Sequence, residues 1–340
     1  MNTSTLVETA NAMVAEGEGI LAVDESSGTI QKRFDTVNVE CTEDSRRAYR
    51  QMLLTTPGLG KHISGAILFD ETLRQSTEDG TPFPTVMQQA NVIPGIKVDT
   101  GAHPLAGHPG EKVTEGLDGL RGRLEEYASL GARFAKWRAV ITIGDGIPTT
   151  ACVNANAHAL ARYAALCQDA GLVPMVEPEV LINGSHSLEE CFDISEATLR
   201  SLFTQMYEQN VLLEGAILKA SMVISGDTAE NRASVSEVAE ATVECLLNAV
   251  PAALAGVVFL SGGQGDEEAT AHLDAMNKLG VFPWPLSFSY GRALQAPSLA
   301  AWGQDPAGNI ELAQQKLAHR ARMNGLATMG QYEASMEPGA

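Results

Sequence analysis

Lys219 closes the apolar run Gly215-Ala216-Ile217-Leu218 and is followed directly by Ala220-Ser221-Met222-Val223-Ile224. A lysine between apolar stretches has two readings. Desolvation and a neighbouring cation favour the neutral amine, which attacks carbonyl carbon and forms a Schiff base. Alternatively the stem packs and the ammonium reaches water. Residues at the ends of other apolar runs bear on the choice. Glu177 is of the type that moves protons, and Asp24 of the type that hydrogen-bonds a substrate hydroxyl. Lys136 could lower the pKa of a nearby amine and stabilise a developing alkoxide. Structural ion pairing is the competing reading for these three, and for Glu179 and Arg138 with them. The spacings 136/138 and 177/179 nevertheless put both members of each pair on one face of a strand, with Trp137 and Pro178 on the other.

Anion-binding chemistry has its own candidates. Ser261-Gly262-Gly263-Gln264-Gly265 follows an apolar run and precedes a helical pattern starting at Asp266. Small residues there let backbone N–H groups approach a phosphate at a helix N-terminus; an ordinary glycine turn is the alternative. The glycine spacing is not that of a dinucleotide fingerprint. Arg292, after Ser289-Tyr290-Gly291, carries a planar fork suited to the same phosphate. Ser26, Ser27, Thr29, Lys32 and Arg33 after the first run, with Lys97 at the end of another, make a second anion site. A net charge of -19 argues against nucleic-acid or anionic-membrane binding. A doubly anionic substrate is compatible with that charge if the few cations gather at one mouth. The seven histidines form no HxxxH or HxxH, and His103 and His108 fall in a Pro/Gly-rich loop, so no metal or other cofactor is expected.

These residues need elements to position them. Apolar runs at Gly19–Val23, 63–69, 94–96, 134–135, 173–176, 214–218, 256–260 and Leu286–Tyr290 each lead into a polar or small residue. Between them lie helical spacings, such as Leu117, Leu120, Leu124, Tyr127 and Leu130, or Ala157, Leu160, Ala161, Ala164 and Ala165. Strand–helix alternation without a long linker predicts an α/β fold, a (β/α)8 TIM barrel, whose chemistry sits at the C-terminal ends of its strands. One barrel domain is expected over 1–325, with a flexible C-terminal tail over 326–340. Five widely spaced cysteines read as free thiols. The first residues lack a basic segment followed by an apolar core, and no run approaches the roughly 18 apolar residues of a membrane span. Cytoplasm is the expected location.

Taken in order, LAVDESSGTIQKR, GAILFDETL, PGIKVDTG, ARFAKWRAV, GLVPMVEPEVL, LEGAILKASMV, GVVFLSGGQ and SFSYGRALQAPSLAAW closely resemble segments of the class I fructose-bisphosphate aldolases, from about residue 5 to residue 325. The resemblance implies metal-independent cleavage of fructose 1,6-bisphosphate and a homotetramer. It makes Lys219 the Schiff-base lysine, Glu177 the general acid/base and Glu179 its support. Asp24 would orient substrate hydroxyls, and Lys136 the intermediate, with Arg138 nearby. Ser261, Gly262 and Arg292 would hold the C1 phosphate; Ser26, Thr29 and Lys97, with Arg33 close by, the C6 phosphate. Two departures stand out. Ala220 replaces a proline common in relatives, and the chain ends Met336-Glu337-Pro338-Gly339-Ala340 where animal members end in tyrosine; Tyr332 matches an earlier tail position.

Overall fold

All eight apolar runs become parallel strands of one closed barrel. The computed structural model describes residues 3–338. In chain order the strands are β1 (Gly19–Val23), β2 (Ile63–Leu68), β3 (Ile93–Lys97), β4 (Gly101–Pro104), β5 (Lys112–Glu115), β6 (Phe134–Ile141), β7 (Val173–Val180), β8 (Ile217–Ala220), β9 (Gly256–Phe259) and β10 (Leu286–Tyr290). The barrel closes in the order β1-β10-β9-β8-β7-β6-β3-β2. Helices connect its strands and cover the outside, as parallel pairing requires.

Period-two alternation separates two cores. Outward residues such as Leu21, Leu68, Ile96, Trp137, Val176, Leu218 and Phe259 join the large core beneath the helices. Trp137 meets Tyr163 of the helix Thr150–Asp169 with ring centroids 5.5 Å apart. Inward residues Ile20, Ile67, Phe134, Val173, Met175, Ile217 and Val258 form a second core. The helix Thr3–Met13 supplies Leu6, Ala10 and Met13 to that core and so plugs the barrel floor. Phe134 needs the space left by a glycine: a Cβ on Gly95 would stand 2.1 Å from its ring. Climbing each strand, the inward positions change from apolar to charged: Phe134, Lys136, Arg138 on β6; Met175, Glu177, Glu179 on β7; Ile217, Lys219 on β8. The apolar floor rigidifies the strands that carry the charged layer.

Some boundaries differ from those expected. Strands β6 and β7 run on to Ile141 and Val180, so the paired charges lie within strands rather than after them. Their outward neighbours are apolar or proline and keep both strands packed on the helices. Residues 213–215 form a 3-10 turn, leaving β8 to begin at Ile217. The Pro/Gly-rich loop expected around His103 is an antiparallel hairpin of β4 and β5, with His103 opposite Val113. The final helix, Ile310–Ala327, extends past the expected boundary at 325. From there to residue 338 the tail is tethered through Tyr332 and Glu337, which are 5% and 7% exposed. Residues 339–340 of the expected tail lie outside the described residues. Among the described residues no helix is long and apolar enough to cross a membrane.

Candidate active site

A cleft of about 530 Å³ opens at the C-terminal mouth of the barrel. Lining it are Lys219, Glu177, Asp24, Lys136, Glu179, Arg138, Ser261, Gly262, Arg292, Ser26, Thr29, Lys32, Lys97 and Arg33, whereas Ser27, also expected at the second anion site, opens its helix without lining the cleft. Lys219 and Lys136 are each 4% exposed, so neither ammonium snorkels into bulk water. Lys219 Nζ stands 3.1 Å from Glu177 Oε1, and Lys136 Nζ stands 2.8 Å from Glu177 Oε2. Lys136 Nζ also donates to Asp24 Oδ2 at 3.0 Å. Two cations and two carboxylates therefore compensate one another in a buried cluster contributed by four strands or strand ends.

That cluster sets its own protonation. Burial opposes charge on Glu177, but Lys136, Lys219 and Arg138 outweigh it and hold the carboxyl below its usual range. Asp24 behaves alike: burial is overcome by Lys136, Lys219 and Lys97. For Lys136, burial favours the neutral amine, whereas Asp24, Glu177 and Asp99 push its pKa up. Lys136 is thus a fixed cation, and Glu177 rests as a carboxylate able to accept a proton.

The signs give an expectation for stability. A depressed carboxyl contributes stability that is fully present above its unfolded value, here 3.8 for Asp24 and 4.5 for Glu177, and is lost as pH falls through the folded value. Lys136 has the opposite sign: its contribution is present below its unfolded value and is lost only at strongly alkaline pH. Asp24→Asn should therefore flatten the loss of stability below about pH 4, by up to about 1.4 kcal/mol per pH unit for the one proton removed. Urea unfolding of wild type and variant across this range checks it; parallel acid limbs would refute the assignment.

Around the cluster the cations are arranged at the rim. Arg138 Nε donates to Glu179, and its backbone N–H donates to Asp99 Oδ2 at 3.2 Å. Lys97 Nζ lies 3.6 Å from Asp99. Gly262 and Gly263, with φ of 57° and 105°, hold a left-handed turn that side chains rarely adopt, and Ser261 begins it. Such a turn exposes successive N–H groups to an anion. Arg292 opens the helix Arg292–Gln304, and burial together with the charges of Arg33 and Arg138 pulls its pKa down against Glu179. A phosphate placed there would relieve that crowding. Across the mouth, Ser26 is the N-cap of the helix Ser27–Asp35 and makes no side-chain capping bond. Its Oγ lies 3.1 Å from Thr29 Oγ1.

Among the lining residues without a role assigned from sequence are Glu25, Gln295 and Ser289. Glu25, beside Asp24, is ion-paired to both Arg33 and Arg50. Gln295, one helical turn after Arg292, donates to Glu25 Oε1 at 2.9 Å and accepts from Tyr49 at 3.0 Å. Ser289 is 1% exposed, and its Oγ has no hydrogen-bond partner. Its spacing of two from Ser287 on β10 was the available signal.

Fold and site together define a (β/α)8-barrel class whose cation-rimmed mouth opens over a buried amine–carboxylate pair. Residues 5–340 match the family described as "Fructose-bisphosphate aldolase class-I", and the chain belongs to that family. It is 65% identical over 333 residues to a probable fructose-bisphosphate aldolase class 1 of Xanthomonas campestris, covering 98% of this chain and 100% of the relative. With the cytosolic fructose-bisphosphate aldolase 4 of Arabidopsis thaliana it shares 48% identity, over 100% of this chain and 86% of the relative. A solved fructose-bisphosphate aldolase of Plasmodium falciparum, in complex with TRAP and a small-molecule inhibitor, superposes with a TM-score of 0.96 at 48% identity, covering 97% of this chain and 96% of the other.

Proposed function

We propose that this class I aldolase cleaves fructose 1,6-bisphosphate reversibly, with Lys219 as nucleophile and Glu177 as the proton-transfer group. The observation that carries the reading is the Lys219–Glu177–Lys136 contact at the floor of a cation-rimmed cleft. Lys219 Nζ gives up a proton and attacks the C2 ketone, forming a carbinolamine; loss of water leaves an iminium. Removal of the C4 hydroxyl proton, assigned to Glu177, turns that oxygen into the aldehyde of departing glyceraldehyde 3-phosphate. The C3–C4 electron pair moves onto the iminium and leaves an enamine. Protonation at C3 and hydrolysis release dihydroxyacetone phosphate and restore the amine. The iminium provides the electron sink that a Lewis-acidic metal supplies in other carbonyl chemistry.

Lys136, fixed as a cation between Asp24 and Glu177, is assigned to stabilising the developing oxyanion. Asp24 is assigned to orienting the substrate hydroxyls, and Glu179 to holding Arg138. Ser261, Gly262 and Arg292 take one phosphate; Ser26, Thr29, Lys97 and Arg33 take the other. A cytoplasmic location is supported by five cysteines that are all free, and a homotetramer by family membership. Tyr332 packs against the helix Asp266–Lys278 and does not line the cleft, which fits slower C3 proton exchange than in tyrosine-ended relatives.

Borohydride reduction in the presence of fructose 1,6-bisphosphate, followed by peptide mapping, tests the assignment. The expected product is one stable adduct on the peptide containing Lys219. Active protein without that adduct would overturn the mechanism.

A further inference from the structure

The tail is built into the glycine loop's support. After the final helix, the Tyr332 backbone N–H donates to Asp274 Oδ1 at 2.9 Å, and Lys278 Nζ donates to Tyr332 O at 3.3 Å. Both partners belong to the helix Asp266–Lys278, which starts where the Ser261–Gly265 loop ends. Glu337 then turns back onto the final helix. Its Oε1 accepts from Arg320 Nη1, and its Oε2 lies 2.8 Å from His319 Nε2. Arg320 is 2% exposed. Its Nη2 donates to the Asp266 carbonyl at 2.9 Å and to Thr270 Oγ1. Thr270 Oγ1 also donates to Asn324 Oδ1 at 2.8 Å.

A buried guanidinium needs a counter-ion, and the carboxylate bonded to Arg320 is that of Glu337. The more distant Asp266 carboxylate lies at 3.9 Å. Without Glu337 the fork that fixes the Asp266 carbonyl would lose its strongest partner. The first helical turn could then shift, and with it the loop whose Gln264 is held by His272 at 2.6 Å. We propose that Glu337 is a positioning residue, and that the C-terminal segment straps the first turn of the helix Asp266–Lys278 so that the Ser261–Gly263 loop keeps its geometry at the cleft. The strap rests on the assignment of that loop to a substrate phosphate.

The experiment compares Glu337→Gln, His319→Gln and Ser261→Ala in the full chain, by amide hydrogen exchange and by steady-state kinetics with fructose 1,6-bisphosphate. Glu337→Gln should speed exchange across residues 262–269 and raise KM roughly tenfold with kcat nearly unchanged, as expected when a distant change misplaces a binding loop. His319→Gln removes only the outer partner and should do the same to a smaller degree. Unchanged exchange over 262–269 in Glu337→Gln overturns the strap. Faster exchange with unchanged KM, while Ser261→Ala raises KM, overturns its link to the site. If Ser261→Ala also leaves KM unchanged, the phosphate assignment fails, and faster exchange still supports the strap.

Discussion

Lys219→Arg is expected to lower kcat for fructose 1,6-bisphosphate by roughly 10⁵-fold or more, the scale on which loss of a covalent nucleophile is felt. The substitution keeps a cation against Glu177 Oε1, so the charge balance of the buried cluster survives. What it removes is an amine able to become an iminium. The cluster contains a second amine, Lys136, and its geometry distinguishes the two. Two carboxylates hold Lys136, at 2.8 Å and 3.0 Å, and raise its pKa. Lys219 contacts one carboxylate oxygen, Glu177 Oε1. An amine locked between two anions resists the deprotonation that attack requires, whereas it serves well as a permanent cation. The measurement is turnover together with borohydride trapping, with urea unfolding to confirm that the variant is folded. Turnover within about 100-fold of wild type, with the adduct moved to Lys136, would reverse the two roles.

The division between what the sequence made legible and what it did not follows the range of each interaction. Strands were visible because burial on both faces writes continuous apolar runs, and the pairs 136/138 and 177/179 because a strand's period of two is local. Contacts across the barrel left no such mark. Asp24 and Lys136 are 112 residues apart, and nothing near either one specifies the other. Glu25 carried no local signal, since its partners Arg50 and Gln295 come from later helices. The β4–β5 hairpin was hidden by its own composition: its strands are four residues long and flanked by Gly and Pro, which locally signal a loop. The docking of the tail left no mark for a related reason. Its residues are small and polar, but Tyr332 and Glu337 dock on Asp274 and Arg320, side chains supplied from elsewhere in the chain.

Glu177→Gln separates proton transfer from ion pairing. Glutamine retains the shape of the side chain and an acceptor oxygen but has no negative charge, so Lys136 keeps Asp24 as its counter-ion while Lys219 loses its carboxylate partner. If Glu177 were only structural, its removal would appear as lost stability, on the order of 3–5 kcal/mol for a broken buried pair, with the chemical step largely intact. If it moves the C4 hydroxyl proton, kcat should fall by about 10²–10⁴-fold even in the fraction of protein that is folded. The same substitution at Glu179 should cost much less, because its partner Arg138 has a side chain 41% exposed and its own access to solvent. Single-turnover cleavage, normalised to the folded population, decides between these readings. A kcat within about tenfold of wild type in Glu177→Gln would remove Glu177 from the chemistry and leave it as the counter-ion of two lysines.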